Sequence, residues 1–131
     1  MKKTGILQPA LARVIASMGH GDLLCVADAG LPIPVGVERI DLGVAPGLPP
    51  FLPVLEAVLG ELLVEKAVVA GEILTDSPAM HREISRRLGA VPIQTVPHEQ
   101  FKKLVSGCRA VVRTGEFTHY SNVILTAGVV F

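Results

Sequence analysis

Residues 20–34, HGDLLCVADAGLPIP, contain the clearest strand in the chain. Its centre is the mainly apolar run Leu23–Ala27, which ends at Asp28. The loop that follows is too rich in glycine and proline to continue a strand. This pattern is typical of a buried strand that delivers a polar group to a crevice. Because open α/β sheets bind ligands at the carboxyl ends of their strands, Asp28 is a candidate site residue.

A histidine lies at the other end of the same strand. His20 stands between Gly19 and Gly21, just after a predicted helix, so one interpretation is a loop histidine bonded to a carbonyl of the helix end. The alternative is a proton donor or acceptor, because only histidine titrates unperturbed near neutral pH. His20 and Asp28 lie at opposite ends of the strand, so they can share a site only through loops or across subunits.

Hydrophobic periodicity and capping residues predict the remaining elements. Apolar stripes bounded by proline, glycine and polar caps predict helices over residues 8–18, 51–63, 77–88 and 97–106. Short apolar runs predict strands over residues 23–27, 39–42, 66–71, 92–96, 109–113 and 122–131. Strands that alternate with helices predict one layered α/β/α domain over residues 1–131, with a mostly parallel, Rossmann-like sheet.

Composition excludes several classes of function. The formal net charge is zero, with no tryptophan and one tyrosine, so neither a basic face nor a stacking platform for nucleic acid is expected. No apolar run approaches the roughly 18 residues of a membrane span. The amino terminus lacks the apolar segment of a signal peptide, so we expect a cytoplasmic protein. Cys25 and Cys108 both lie in apolar contexts and are predicted to be buried free thiols.

The apolar character of the chain favours self-association. Half of the residues are hydrophobic, which is more than a small monomer usually tolerates. The predicted helix 51–63 is apolar on nearly all sides, so it is either deeply buried or packed against another subunit, and the second is preferred.

Two further groups of polar residues lie beside strands. His98 opens a helix after the strand 92–96, so it should reach the same sheet edge as Asp28, and Lys102 lies one turn further on the same helix face. The alternative for His98 is an ordinary helix-start residue, and the alternative for Lys102 is a solvated charge. Tyr120, Ser121 and Asn122 precede the last strand and offer a phenol, a hydroxyl and an amide. The alternative for this tripeptide is a capped turn.

The motifs of several common enzyme classes are missing. Gly19-His20-Gly21 is only part of a dinucleotide fingerprint, and it precedes a strand where that fingerprint must follow one. The sequence contains no P-loop, no H-E-x-x-H, no C-x-x-C and no G-x-S-x-G. No cofactor or metal site is therefore predicted.

Several separate motifs carry a resemblance that runs the whole length of the chain. In order, they are Gly19-His20-Gly21-Asp22, Asp28-Ala-Gly-Leu-Pro-Ile-Pro34, Gly36-Val37, Arg39-Ile-Asp-Leu42, Val96-Pro-His-Glu99, Phe101-Lys-Lys103, Arg113-Thr-Gly-Glu116 and Tyr120-Ser-Asn122. In these motifs and their spacing the chain resembles the D-ribose pyranase family of sugar mutarotases, which includes fucose mutarotases in its superfamily.

The resemblance implies roles for the candidate residues. It implies that His20 is the general acid and that Asp28 contacts the sugar. It also implies that residues 120–122 face the substrate, Ser121 through its backbone. With His98 and Lys102, these residues would orient D-ribose while its pyranose and furanose forms interconvert.

The resemblance also implies an assembly and has local exceptions. Family members form homodecamers of two stacked pentameric rings, with sites between neighbouring subunits. Ser121 departs from the commoner small residue at its position. His119 is not a family signature, and neither it nor His81 on a helix surface is assigned a role.

Three alternatives remain. The nearest is a mutarotase for another sugar such as L-fucose, although the Asp28–Pro34 and Val96–Glu99 blocks favour the ribose branch. The second is a non-catalytic sugar-binding or transport-accessory protein. The third is a purely structural oligomer, which would have no affinity for sugar.

Overall fold

The computed structural model describes all residues from Met1 to Phe131 and contains five helices and six strands. The helices are α1 (Pro9–Ser17), α2 (Phe51–Leu59), α3 (Ile73–Asp76), α4 (Pro78–Leu88) and α5 (His98–Val105). The strands are β1 (Leu23–Ala27), β2 (Glu38–Asp41), β3 (Val64–Ala70), β4 (Ile93–Val96), β5 (Ala110–Arg113) and β6 (Val123–Ala127). None of the helices combines the length and apolar character needed to cross a membrane.

The strands form one sheet in the order β2-β5-β1-β6-β3-β4. Strand β6 is antiparallel to both of its neighbours, β1 and β3, and every other pairing is parallel. The start of β6 therefore lies at the same edge as the ends of the other five strands. We call this edge the carboxyl edge and the opposite one the amino edge. The prediction of a mostly parallel α/β sheet is confirmed.

Helices cover the two faces of the sheet unequally. A cluster of 22 buried residues lies on the face packed by α1 to α4 and includes Phe51 and Ile84, both fully buried. A second cluster of 11 residues lies under α5 and includes Phe101 and Val105. Full burial of one such side chain stabilises the fold by roughly 1.5–3 kcal/mol. The predicted thiols Cys25 and Cys108 are both free and buried.

Helix α2 is shorter than predicted, and one of its faces is buried in its own chain. It ends at Leu59 rather than residue 63, with Gly60 as its C-cap. Its residues Phe51, Val54, Leu55 and Val58 are buried in the core of the same chain. Leu52 and Leu59 are only partly buried and Ala57 is exposed, so a subunit contact through the other face of α2 stays a prediction.

The last strand and the short helix α3 also differ from the sequence prediction. The last strand stops at Ala127, and the apolar residues Val129, Val130 and Phe131 continue beyond it in an exposed tail. The short helix α3 was not predicted, because four residues are too few to establish a hydrophobic period. Pro78 begins α4 and Gly89 ends it, as predicted, although the Ser77 side chain makes no capping hydrogen bond.

Candidate functional site

A cavity of about 340 Å³ opens at the carboxyl edge of the sheet. It is lined by side chains and backbone from the loops after β1, β4 and β5: Asp28, Gly30, Leu31, His98, His119, Tyr120 and Asn122. Four of these residues, Asp28, His98, Tyr120 and Asn122, are candidates from the sequence. The topology brings them together because β6 begins where β1 and β4 end.

Asp28 is the most tightly held group in the cavity. Its Oδ1 accepts hydrogen bonds from the amides of Gly30 at 3.0 Å and Leu31 at 2.9 Å, and its Oδ2 accepts one from Asn122 Nδ2 at 3.0 Å. Burial raises the pKa of the carboxyl above its ordinary value, although these hydrogen bonds and nearby His98 oppose the rise. The Asx-type turn expected from the sequence is thus present, and Oδ2 retains capacity to accept a bond from a ligand.

His98 is fixed through its backbone at the start of α5. Both carboxylate oxygens of Glu72, just after β3, accept a hydrogen bond from the His98 amide, at 3.1 and 3.0 Å. The imidazole lies edge-on to the Tyr120 ring, with centroids 5.1 Å apart. Its Nδ1 is buried and has no hydrogen-bond partner in the protein. Buried polar atoms are normally satisfied, so this unpaired nitrogen distinguishes His98 from the other residues of the cavity lining.

The tripeptide at residues 120–122 forms a tight turn before β6. Tyr120 has a φ of 61°, a left-handed conformation that is uncommon outside glycine and is often found at functional sites. Ser121 is buried, and its hydroxyl donates to the Thr118 carbonyl at 2.8 Å, so its side chain supports the turn rather than lining the cavity.

His20 lies at the amino edge, away from the cavity. Its Nε2 is 3.0 Å from Oε2 of Glu65, and its side chain is 60% exposed. Strand β1 separates it from Asp28, and five residues of strand span about 16 Å. Within one chain, His20 therefore does not reach the residues that surround the cavity.

Lys102 also lies outside the cavity lining. Its Nζ is 2.7 Å from Oε1 of Glu99, on the same turn of α5. The structure thus gives Lys102 a partner on its own helix, one turn from His98.

The sequence interpretation missed His119 and Glu72. His119 lines the cavity and also a second cavity of about 360 Å³ beside it, to which Arg113, Glu116 and Phe117 contribute. Its position next to Tyr120 was the available signal. Glu72 could not be recognised from the sequence, because its partner His98 is 26 residues away.

The cavity combines a carboxylate, a carboxamide, a phenol and imidazoles. Together they can bind several hydroxyl groups and move protons near neutral pH. No group of three or more histidine, cysteine, aspartate or glutamate side chains is arranged to hold a metal ion. Because the lining groups both donate and accept hydrogen bonds, the cavity suits a neutral polyol.

Comparison with known proteins gives matches over the full chain. Residues 1–130 match the family described as the RbsD / FucU transport protein family. A protein from Symbiobacterium thermophilum named D-ribose pyranase is 55% identical over 131 residues, covering both chains completely. The structure of Bacillus subtilis RbsD complexed with D-ribose matches with a TM-score of 0.97 and 44% identity, again over both complete chains. The fucose mutarotase of Streptococcus pneumoniae in complex with L-fucose matches with a TM-score of 0.75 and 26% identity over 94% of each chain.

Proposed function

This chain belongs to the RbsD / FucU transport protein family, and we propose that it is a D-ribose pyranase, an isomerase that interconverts the β-pyranose and furanose forms of D-ribose. The observation that carries this assignment is the 55% identity to a D-ribose pyranase over the entire length of both proteins. The closer likeness to the ribose complex than to the fucose complex supports ribose as the preferred sugar.

The geometry of the cavity supports binding of a neutral sugar. Asp28 is held by three hydrogen bonds, so it presents Oδ2 to a ligand without first being ordered. His98 and Tyr120 also line the cavity, with their rings edge-on to each other. We assign Asp28, His98, Tyr120 and Asn122 to orientation of the sugar. We assign the same role to Ser121 through its backbone.

Ring opening and ring closure each need two proton transfers, and neither needs an external reagent. An acid gives a proton to the ring oxygen while a base takes the proton of the anomeric hydroxyl, and the bond between C1 and the ring oxygen breaks to leave the open aldehyde. A different hydroxyl then adds to C1, and the proton transfers run in reverse. A positioned acid or base contributes typically 10²–10⁴-fold to such a step.

We assign the role of acid to His20 of a neighbouring subunit. Its own chain holds it about 16 Å from the cavity, on the opposite edge of the sheet. A head-to-tail contact between the amino edge of one chain and the carboxyl edge of the next would bring His20 to a cavity. Heterologous contacts of this kind close into rings when the rotation between subunits permits.

An oligomer of this kind accounts for the exposed apolar residues at the amino edge. Leu63, Val129, Val130 and Phe131 are all exposed in the single chain. We propose a homodecamer of two pentameric rings, which is the assembly that the family resemblance implies. The Lys102 ammonium has N–H donors beyond the one that faces Glu99, so we assign it to sugar affinity rather than proton transfer.

We also propose a cytoplasmic location. Both cysteines are free and buried, as is common for proteins of reducing compartments. No cofactor takes part in the proposed reaction.

The decisive experiment is exchange NMR on equilibrated D-ribose with catalytic amounts of protein, because each ring form has its own anomeric proton. We expect faster exchange between the β-pyranose and furanose signals. A parallel sample with L-fucose tests the other branch, and greater acceleration of fucose exchange would reassign the substrate. Sugar binding without faster exchange would indicate a non-catalytic binding protein, and no effect on either sugar would reject the proposal.

A further inference from the structure

His119 lies at the cavity but has no part in the proposed reaction. It lines the cavity that holds Asp28 and also the neighbouring cavity that holds Arg113 and Phe117. The other residues common to both cavities are Asp28 and Gly30. His119 therefore lies at the boundary between the two cavities, as does Asp28, which is already assigned to the sugar.

The ring geometry directs His119 to the cavity. The Tyr120 ring is nearly perpendicular to two imidazoles, with centroid distances of 5.1 Å to His98 and 6.5 Å to His119. Adjacent side chains on an extended segment point in opposite directions. Here Tyr120 has a φ of 61°, and both residues line the same cavity.

The backbone around His119 is held firmly while its imidazole is left available. The Glu116 carboxylate accepts hydrogen bonds from the amide and hydroxyl of Thr118, at 3.2 and 2.9 Å, and the Ser121 hydroxyl donates to the Thr118 carbonyl at 2.8 Å. The side chain of His119 itself is exposed. A neutral imidazole carries one donor and one acceptor, which matches a sugar hydroxyl.

We propose that His119 is a further substrate-binding residue of this site, which forms a hydrogen bond with a hydroxyl of the bound sugar on the side facing the second cavity. The inference rests on the proposed function, because it takes D-ribose as the ligand. It adds to the site a sugar-binding side chain that lies outside the family motifs.

The test compares His119→Ala and His119→Gln with the unchanged protein by exchange NMR over a range of D-ribose concentrations. Loss of one exposed hydrogen bond predicts a rise in KM of about fivefold for His119→Ala, with kcat within about twofold. His119→Gln, which keeps a donor and an acceptor, should recover part of the affinity. The matched control is His81→Gln on α4, which should leave both parameters unchanged.

A second readout does not depend on catalysis. The chain has four histidines, so their imidazole C–H signals can be assigned by substitution and followed while D-ribose is added. We expect the signals of His98 and His119 to shift together and saturate at one ribose concentration, while that of His81 stays in place. Thermal unfolding of both variants should match the unchanged protein, because the side chain is exposed.

The outcomes separate this inference from the proposed function. If the unchanged protein accelerates ribose exchange and His119→Ala has the same KM, or lowers kcat alone, the binding role of His119 is rejected and the pyranase assignment stands. If ribose moves the His119 signal in a saturable way without any faster exchange, the binding role stands and the enzymatic assignment falls.

Discussion

Asn122 and Asp28 form a reciprocal pair although they are 94 residues apart in sequence. The Asp28 amide donates to Asn122 Oδ1 at 2.8 Å, while Asn122 Nδ2 donates to Asp28 Oδ2 at 3.0 Å. Asn122 is 1% exposed, so water cannot replace either bond. The pair joins the end of β1 to the start of β6, and it orients the carboxylate that faces the cavity.

Substitution Asn122→Asp should destabilise the protein and reduce ribose affinity. It removes the donor to Asp28 and places a second carboxylate beside the first, which costs about 1–3 kcal/mol of unfolding free energy at pH 7. The loss of unfolding free energy should become smaller as the pH falls, because one proton shared by the two carboxylates relieves their repulsion. Urea unfolding at several pH values measures the destabilisation and its pH dependence, and exchange NMR over a range of D-ribose concentrations measures the affinity. Gln94→Glu, which adds the same charge at an exposed position of β4, is the control. Equal stability of the two variants at pH 7 would contradict the assigned role of the pair.

Removal of the Glu72 carboxylate should loosen His98 without touching the cavity lining. Both oxygens of Glu72 accept from the His98 amide at the start of α5. Loss of such a helix-start acceptor costs about 1 kcal/mol. We expect Glu72→Ala to raise KM for ribose and to lower stability. Glu72→Gln, which keeps one acceptor oxygen, should stay close to the unchanged protein in both KM and stability. Glu38→Gln, far from the site on β2, is the control. A stability loss with an unchanged KM would mean that Glu72 only supports α5.

The subunit that supplies His20 can be identified by mixing two inactive variants. His20→Ala and Asp28→Ala should each abolish most of the accelerated exchange. In co-assembled rings, about one quarter of the contacts would pair an intact His20 with an intact Asp28 from the next chain, so roughly a quarter of the parental activity should return. Exchange NMR on co-expressed protein measures it. If His20 acted within its own chain, every site in the mixture would lack one group, and no activity would return.

Glu116 should make stability sensitive to acid. Burial alone would raise its pKa, but hydrogen bonds from Phe51 and Thr118 outweigh it and leave the pKa below the ordinary value. The folded state therefore binds its proton at lower pH than the unfolded state. The stabilisation is present above the unfolded pKa of about 4.5 and is lost as the pH falls through the lower, folded one.

Glu116→Gln tests this linkage. It weakens the acceptor for the amide of Phe51, the first residue of α2. We expect the free energy of unfolding to fall by about 1 kcal/mol at pH 7. The difference in unfolding free energy between the variant and the parent should diminish below pH 4. Glu61→Gln provides a comparison at another carboxylate that accepts a backbone amide. A difference that stays constant from pH 7 to pH 3 would refute the linkage.

The sequence alone determined the local elements of this protein. Strand Leu23–Ala27 lies where its apolar run predicts, Pro9 and Pro78 begin helices, and Gly89 ends one. These features depend on backbone restriction and side-chain period over a few neighbouring residues, so they can be read without knowledge of the rest. The opposite placement of His20 and Asp28 follows in the same way, because both flank one strand.

Only the tertiary structure decided which residues meet. The insertion of β6 between β1 and β3 places Asn122 against Asp28, and the end of β3 places Glu72 against His98. Strand order depends on the burial of both sheet faces by the whole chain, and no local pattern records it. The left-handed turn at Tyr120 likewise brings His119 to the cavity through packing that involves distant loops. The sequence thus specifies the groups near the sheet edge, whereas long-range packing selects those that form the site.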